Sequence, residues 1–116
     1  MTTQSSGAAR IVGARLRERR TALGLSQHTV ALDSGVDVAN YGNLERGTGN
    51  PTLLTLLRLA VRLDVDPAEL LDGLTDRGLL PPEARPYTAT EFRREAQRHA
   101  GHEQRNPPGS ERPGSA

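Results

Sequence analysis

Between Arg10 and Leu74 apolar residues recur at spacings of three and four, and no alternating run is long enough for a strand. This period predicts an all-α region. A first helix spans about Ala8 to Leu23, with Val12, Leu16 and Leu23 on one side, Arg15, Arg17 and Glu18 on others, and Gly24 as its stop. Ser26 is a good N-cap for a second helix, which carries Val30 and Ala31 inward and stops at Gly35. Asp37 caps a third, with Tyr41 and Leu44 inward and Gly47 at its end. Only Ser34, Gly35, Val36 and Asp37 lie between the second and third helices, and so short a turn forces a steep crossing. Asn50-Pro51-Thr52 opens a fourth helix, whose Leu53, Leu56, Leu57, Leu59, Ala60 and Leu63 nearly encircle it, which predicts a place at the centre of a bundle. Asp66-Pro67 starts a short fifth helix with Leu70 and Leu71 turned inward.

The hydrophobic share of 34% averages two unlike halves. About 28 of the 65 residues from Arg10 to Leu74 are apolar, against about 9 of the 40 from Arg77 to Ala116, a contrast of the kind that separates folded from disordered chain. The expected organisation is a flexible start over 1–9, a helical domain over 10–74, a proline-rich linker over 75–87, a short helix over 88–101 and a disordered tail over 102–116. Thr88 and Glu91 have capping-box spacing, and Ala89, Phe92, Ala96 and Ala100 form a thin apolar stripe beside Arg93, Arg94 and Arg98.

Composition removes several classes of function. The absence of cysteine excludes disulfides, Cys-ligated zinc, iron-sulfur clusters and thiol catalysis. With three aromatic residues, Tyr41, Tyr87 and Phe92, the chain has no surface on which bases could stack as in single-strand binders. No apolar stretch approaches the roughly 20 residues of a membrane span, and the start lacks a signal-peptide core, so a cytoplasmic protein away from membranes is expected. Ser26, His28 and Asp33 lie close in sequence, but Ser26 is committed to capping and no nucleophile turn surrounds it. His99 and His102 lack a third ligand for a metal. Neither an enzyme, a cofactor nor a metal site is expected.

Two short helices joined by a glycine-containing turn and flanked by supporting helices follow the helix-turn-helix plan. The stretch resembles the lambda-repressor-like, Cro/C1-type (XRE) helix-turn-helix family of bacterial and phage regulators. The matching residues are Val12-Gly13, Leu16-Arg17, Arg20, Gly24-Leu25-Ser26-Gln27, Val30-Ala31, Gly35-Val36, Leu44-Glu45-Arg46-Gly47, Asn50-Pro51, Leu56, Leu59-Ala60, Leu63, Val65 and Leu70-Leu71. The resemblance covers about residues 10 to 72 and implies a five-helix lambda-repressor-like domain, followed by a mostly disordered C-terminal tail. It further implies a transcriptional regulator that binds double-stranded DNA, as a homodimer on a near-palindromic operator, and an ion pair between Arg20 and Glu45.

In that frame the third helix reads bases. Its outward positions are Val38, Ala39, Asn40, Gly42 and Asn43. Asn40 and Asn43 suit adenine, and Val38 or Ala39 suits a thymine methyl. Gln27, at the first turn of the second helix, is long enough to reach a phosphate or to buttress the next helix. A loop after the third helix offers Arg46, Thr48 and Asn50 to phosphates. The small net charge of +1 divides into six arginines against four acids over 10–46, two against five over 52–76, and seven against five over 77–116. This division expects a DNA-facing first half with the arginines of the first helix at its flank. The alternative is an antitoxin-like or other interaction module on the same bundle, gripping a protein through residues 88–101.

Overall fold

The computed structural model describes the backbone of residues 6–102 and side chains through Arg98. Helices begin where a side chain can accept a backbone N–H left unpaired at a helix start. Ser6 caps α1 (Gly7–Ala22), Ser26 caps α2 (Gln27–Ser34), Asp37 caps α3 (Val38–Arg46), Thr52 caps α4 (Leu53–Arg62) and Asp66 caps α5 (Pro67–Leu71). Gly35 and Gly47 close α2 and α3 in the left-handed conformation. Two 3-10 turns follow, Arg77–Leu79 and Pro82–Ala84, with Leu79 lying against α1 at Gly7. No strand occurs among the described residues, and no helix there is long and apolar enough to cross a membrane.

The core gathers Val12 and Leu16 of α1, Val30 and Ala31 of α2, Tyr41 and Leu44 of α3, Leu56, Leu59 and Ala60 of α4, Leu63 just after it, and Leu70 of α5. α1 crosses the end of α3 at very short range. A Cβ placed on Gly13 would stand 2.2 Å from the Leu44 carbonyl oxygen and 2.7 Å from that of Glu45, so only glycine lets the two backbones meet. Gly47 adds a second close approach, to the backbone of Arg10, at a φ of 81°.

Three expectations change. Leu23 is exposed rather than turned to the core, because α1 ends at Ala22 and the chain leaves the bundle toward Gly24. Leu71 is likewise exposed, and Leu70 alone of that pair is buried. The largest difference is in α4, which lies against the bundle instead of at its centre. Leu56, Leu59 and Ala60 face inward, whereas Leu53, Leu54, Leu57 and Val61 form an exposed apolar face, with Val61 82% exposed. Leu32 of α2 is exposed as well.

The arginines of α1 also serve another end than a charged flank. Arg15 donates to the carbonyls of Leu70 and Asp72 at 3.1 and 2.8 Å, and Arg19 to those of Leu63 and Asp64, both at 2.9 Å. These are the unpaired carbonyls at the ends of α5 and α4, where a cation is favoured.

Among the described residues, 86–102 belong to a unit separate from the bundle. Its helix α6 (Ala89–His102) starts with a reciprocal capping box, in which Thr88 N–H donates to Glu91 Oε1 and Glu91 N–H to Thr88 Oγ1. Phe92 is exposed. The expectations for residues 1–5, for the tail from 103 and for the His99 and His102 side chains lie outside the described residues.

Candidate nucleic-acid interface

The turn Gly35–Asp37 sets α2 and α3 at an angle, and one buried polar cluster holds that angle. Arg20 of α1 donates through Nε to Glu45 Oε2 at 2.6 Å and through Nη2 to Oε1 at 3.0 Å. Its Nη1 reaches the Leu25 carbonyl just before α2, at 2.8 Å. Gln27 Nε2, at the first turn of α2, donates to the same Glu45 Oε1 at 2.8 Å. The Glu45 side chain is only 2% exposed, so one carboxylate ties together α1, α2 and α3.

Electrostatics follow from this packing. Burial alone would raise the Glu45 pKa, but the hydrogen bonds from Arg20 and Gln27, the nearby Tyr41 and the Arg20 charge outweigh it and hold the carboxyl below its ordinary value. The same bond to Glu45 raises the Arg20 pKa against its own desolvation. The Tyr41 hydroxyl is buried beside this pair, short of hydrogen-bonding geometry. Its pKa is raised first by that burial and then by the carboxylate, so it stays protonated.

The opposite side of α3 is bare. Ala39 and Asn40 are exposed and Asn43 half-buried, whereas Val38 packs partly against the core. Gly42, expected outward, is buried beneath neighbouring side chains. The position of a Cβ there lies 3.5 Å from Arg46 Nη1 and 3.6 Å from Gln27 Oε1.

Of the four groups expected at phosphates, Asn50 is an exposed loop side chain. Arg46 is the last residue of α3, not part of the loop, and its Nη2 donates to Asn43 Oδ1 at 2.5 Å. Both the amide and the hydroxyl of Thr48 donate to the Asn43 carbonyl, so that hydroxyl is occupied in closing α3. Gln27 takes the buttressing role, its amide bound by Glu45. One signal in the sequence marks Arg46: with Ala39 and Asn43 it stands at i, i+4 and i+7, on a single helical stripe. Among the described residues no group of three or more His, Cys, Asp or Glu side chains is placed to hold a metal ion.

This architecture defines a DNA-binding regulator of the helix-turn-helix class. Residues 16–70 match the helix-turn-helix family. An uncharacterized HTH-type transcriptional regulator, y4dJ of Sinorhizobium fredii, is 39% identical over 62 residues, covering 53% of this chain and 80% of that one. Among solved structures, the restriction-modification controller protein C.AhdI from Aeromonas hydrophila is 50% identical with a TM-score of 0.52, covering 53% of this chain and 94% of its own. The P22 c2 repressor, solved in complex with a synthetic operator, is 32% identical with a TM-score of 0.51 and the same coverages, 53% and 94%. The chain belongs to the Cro/C1-type (XRE) helix-turn-helix family of transcriptional regulators.

Proposed function

We propose that the protein is a sequence-specific regulator that lays α3 in the major groove of double-stranded DNA and binds a near-palindromic operator as a homodimer. The observation that carries this reading is the two-sidedness of α3. Tyr41, Leu44 and Glu45 are buried on one side, while Ala39, Asn40 and Asn43 line the other. Asparagine bonds bidentately to adenine and an alanine methyl suits thymine, so these side chains are matched to base edges. Asn50 and the amide groups at the start of α2 are the phosphate-positioning groups. The operator-bound P22 repressor supports a duplex as the ligand.

The exposed apolar face of α4 supports a homodimer, because a second copy related by a twofold axis would bury Leu53, Leu54, Leu57 and Val61 of both subunits. Such a pair sets two recognition helices about 34 Å apart on one face of the duplex. Selection from a random duplex pool at physiological salt tests the reading. An enriched inverted repeat supports it, and a pool without enrichment overturns it. A second reading, a protein-binding module, is favoured by Phe92, exposed on α6; capture of a stoichiometric protein partner that Phe92→Ala abolishes, with no DNA enrichment, would establish it.

A further inference from the structure

The bare side of α3 carries a cation that composition hides. Arg46 ends the stripe begun by Ala39 and Asn43, and long side chains on a helix lean toward its start. Here that lean brings the Arg46 guanidinium back along the stripe, where Nη2 donates to Asn43 Oδ1 at 2.5 Å. Its two terminal nitrogens stand 3.5 and 3.8 Å from the point a Cβ of Gly42 would occupy. Gln27 Oε1 stands 3.6 Å from the same point, and Gln27 is itself fixed by Glu45. Gly42 thus leaves room for the Arg46 guanidinium and a braced Gln27 to approach the same spot on α3.

This placement decides between two ligands with similar chemistry. A phosphate-positioning arginine reaches outward to the backbone at the rim of the groove. Arg46, although it ends α3, is turned back along the stripe that carries the base-reading candidates and is held there by Asn43. A guanidinium has five donors in a planar fork, and one acceptor, Asn43 Oδ1, is engaged. The remaining donors match the adjacent O6 and N7 acceptors that guanine presents in the major groove.

We infer that Arg46, braced by Asn43 beside Gly42, is a specificity-determining residue that pairs with a guanine edge in each half-site; this rests on the reading of α3 as the recognition helix. Asn43 is a base reader and a positioning group at once. The half-site then includes an obligatory G·C pair beside the positions read by Ala39 and Asn43.

The test is duplex selection at physiological salt with the full chain and with Arg46→Ala, Arg46→Lys and Asn43→Ala, each first checked for native helix content. The selected site and its single-base variants are then titrated at several salt concentrations. The expected result is a wild-type motif with an invariant G·C pair, at which Arg46→Ala loses roughly 10- to 100-fold of discrimination while preferences elsewhere persist. Arg46→Lys, which keeps the charge but not the fork, loses that preference too. A uniform loss on every sequence, with a salt slope lower by about one per subunit and recovery by lysine, makes Arg46 a phosphate contact and overturns the inference alone. A motif unchanged by both Arg46→Ala and Asn43→Ala, or no motif for the wild type, overturns the recognition-helix reading and the inference with it.

Discussion

Arg20 and Glu45, twenty-five residues apart in sequence, meet through two hydrogen bonds of 2.6 and 3.0 Å with the carboxylate almost entirely buried. The pair joins α1 to the end of α3, and Gln27 brings in the start of α2. It therefore holds the two helices of the motif in register. Removing one partner leaves the other charge buried without a match, which costs on the order of 3 kcal/mol. Arg20→Ala and Glu45→Ala should each lower the urea midpoint accordingly, and the double variant should lose less than the sum of the two. Strict additivity in equilibrium unfolding would contradict the coupling.

Acid should act through the same carboxylate. The Glu45 pKa is lowered in the folded chain, so the unfolded state binds its proton more readily. The stability this group adds is complete above its ordinary value of 4.5 and is lost as pH falls through the lower folded pKa. Urea midpoints from pH 7 down to pH 3 should show a fall below about 4.5 that is shallower in Glu45→Gln. An identical acid limb in both proteins would refute Glu45 as a source.

Two helical glycines should respond with opposite sign. At Gly13 an added methyl meets backbone oxygens at 2.2 and 2.7 Å, which forces α1 off α3. Gly13→Ala should cost upwards of about 2 kcal/mol. At Gly42 the methyl would meet side-chain atoms no closer than 3.5 Å, which is ordinary contact. Gly42→Ala should then gain up to about 1 kcal/mol from helix propensity. Thermal melts of both variants check the pair, and similar losses at the two sites would show that Gly42 is packed more tightly than these distances allow.

The exposed face of α4 leads to a prediction on assembly. Leu54→Glu and Val61→Glu place charges where a second copy would bury apolar surface, yet both side chains are largely exposed in the single chain. Sedimentation should show a dimer that both substitutions dissociate while the melting temperature per chain changes little. An unchanged mass would place any dimer contact elsewhere.

Much of the fold was legible because its signals are local. The caps at Ser26, Asp37 and Thr52 act on an N–H three residues ahead, and the glycines that stop α2 and α3 act on the last turn. Such interactions are written in a few adjacent letters. The capping box at Thr88 and Glu91 is of the same kind. The Arg20–Glu45 pair is a long-range contact, and it was reached only through the family resemblance.

What the chain order could not determine depended on which surfaces meet. The leucines of α4 look alike from all sides in sequence, and only the docking of its neighbours separates buried Leu56 and Leu59 from exposed Leu53 and Leu57. Arg15 and Arg19 read as free surface charge because the carbonyls they bind lie 44 to 57 residues away. The candidate site divides in the same way. Periodicity placed Ala39 and Asn43 outward, but Gly42 was misjudged, since its setting is made by Gln27 on another helix. Local backbone chemistry thus set where the helices begin and end, while the burial of one face against another decided which side chains remain for DNA.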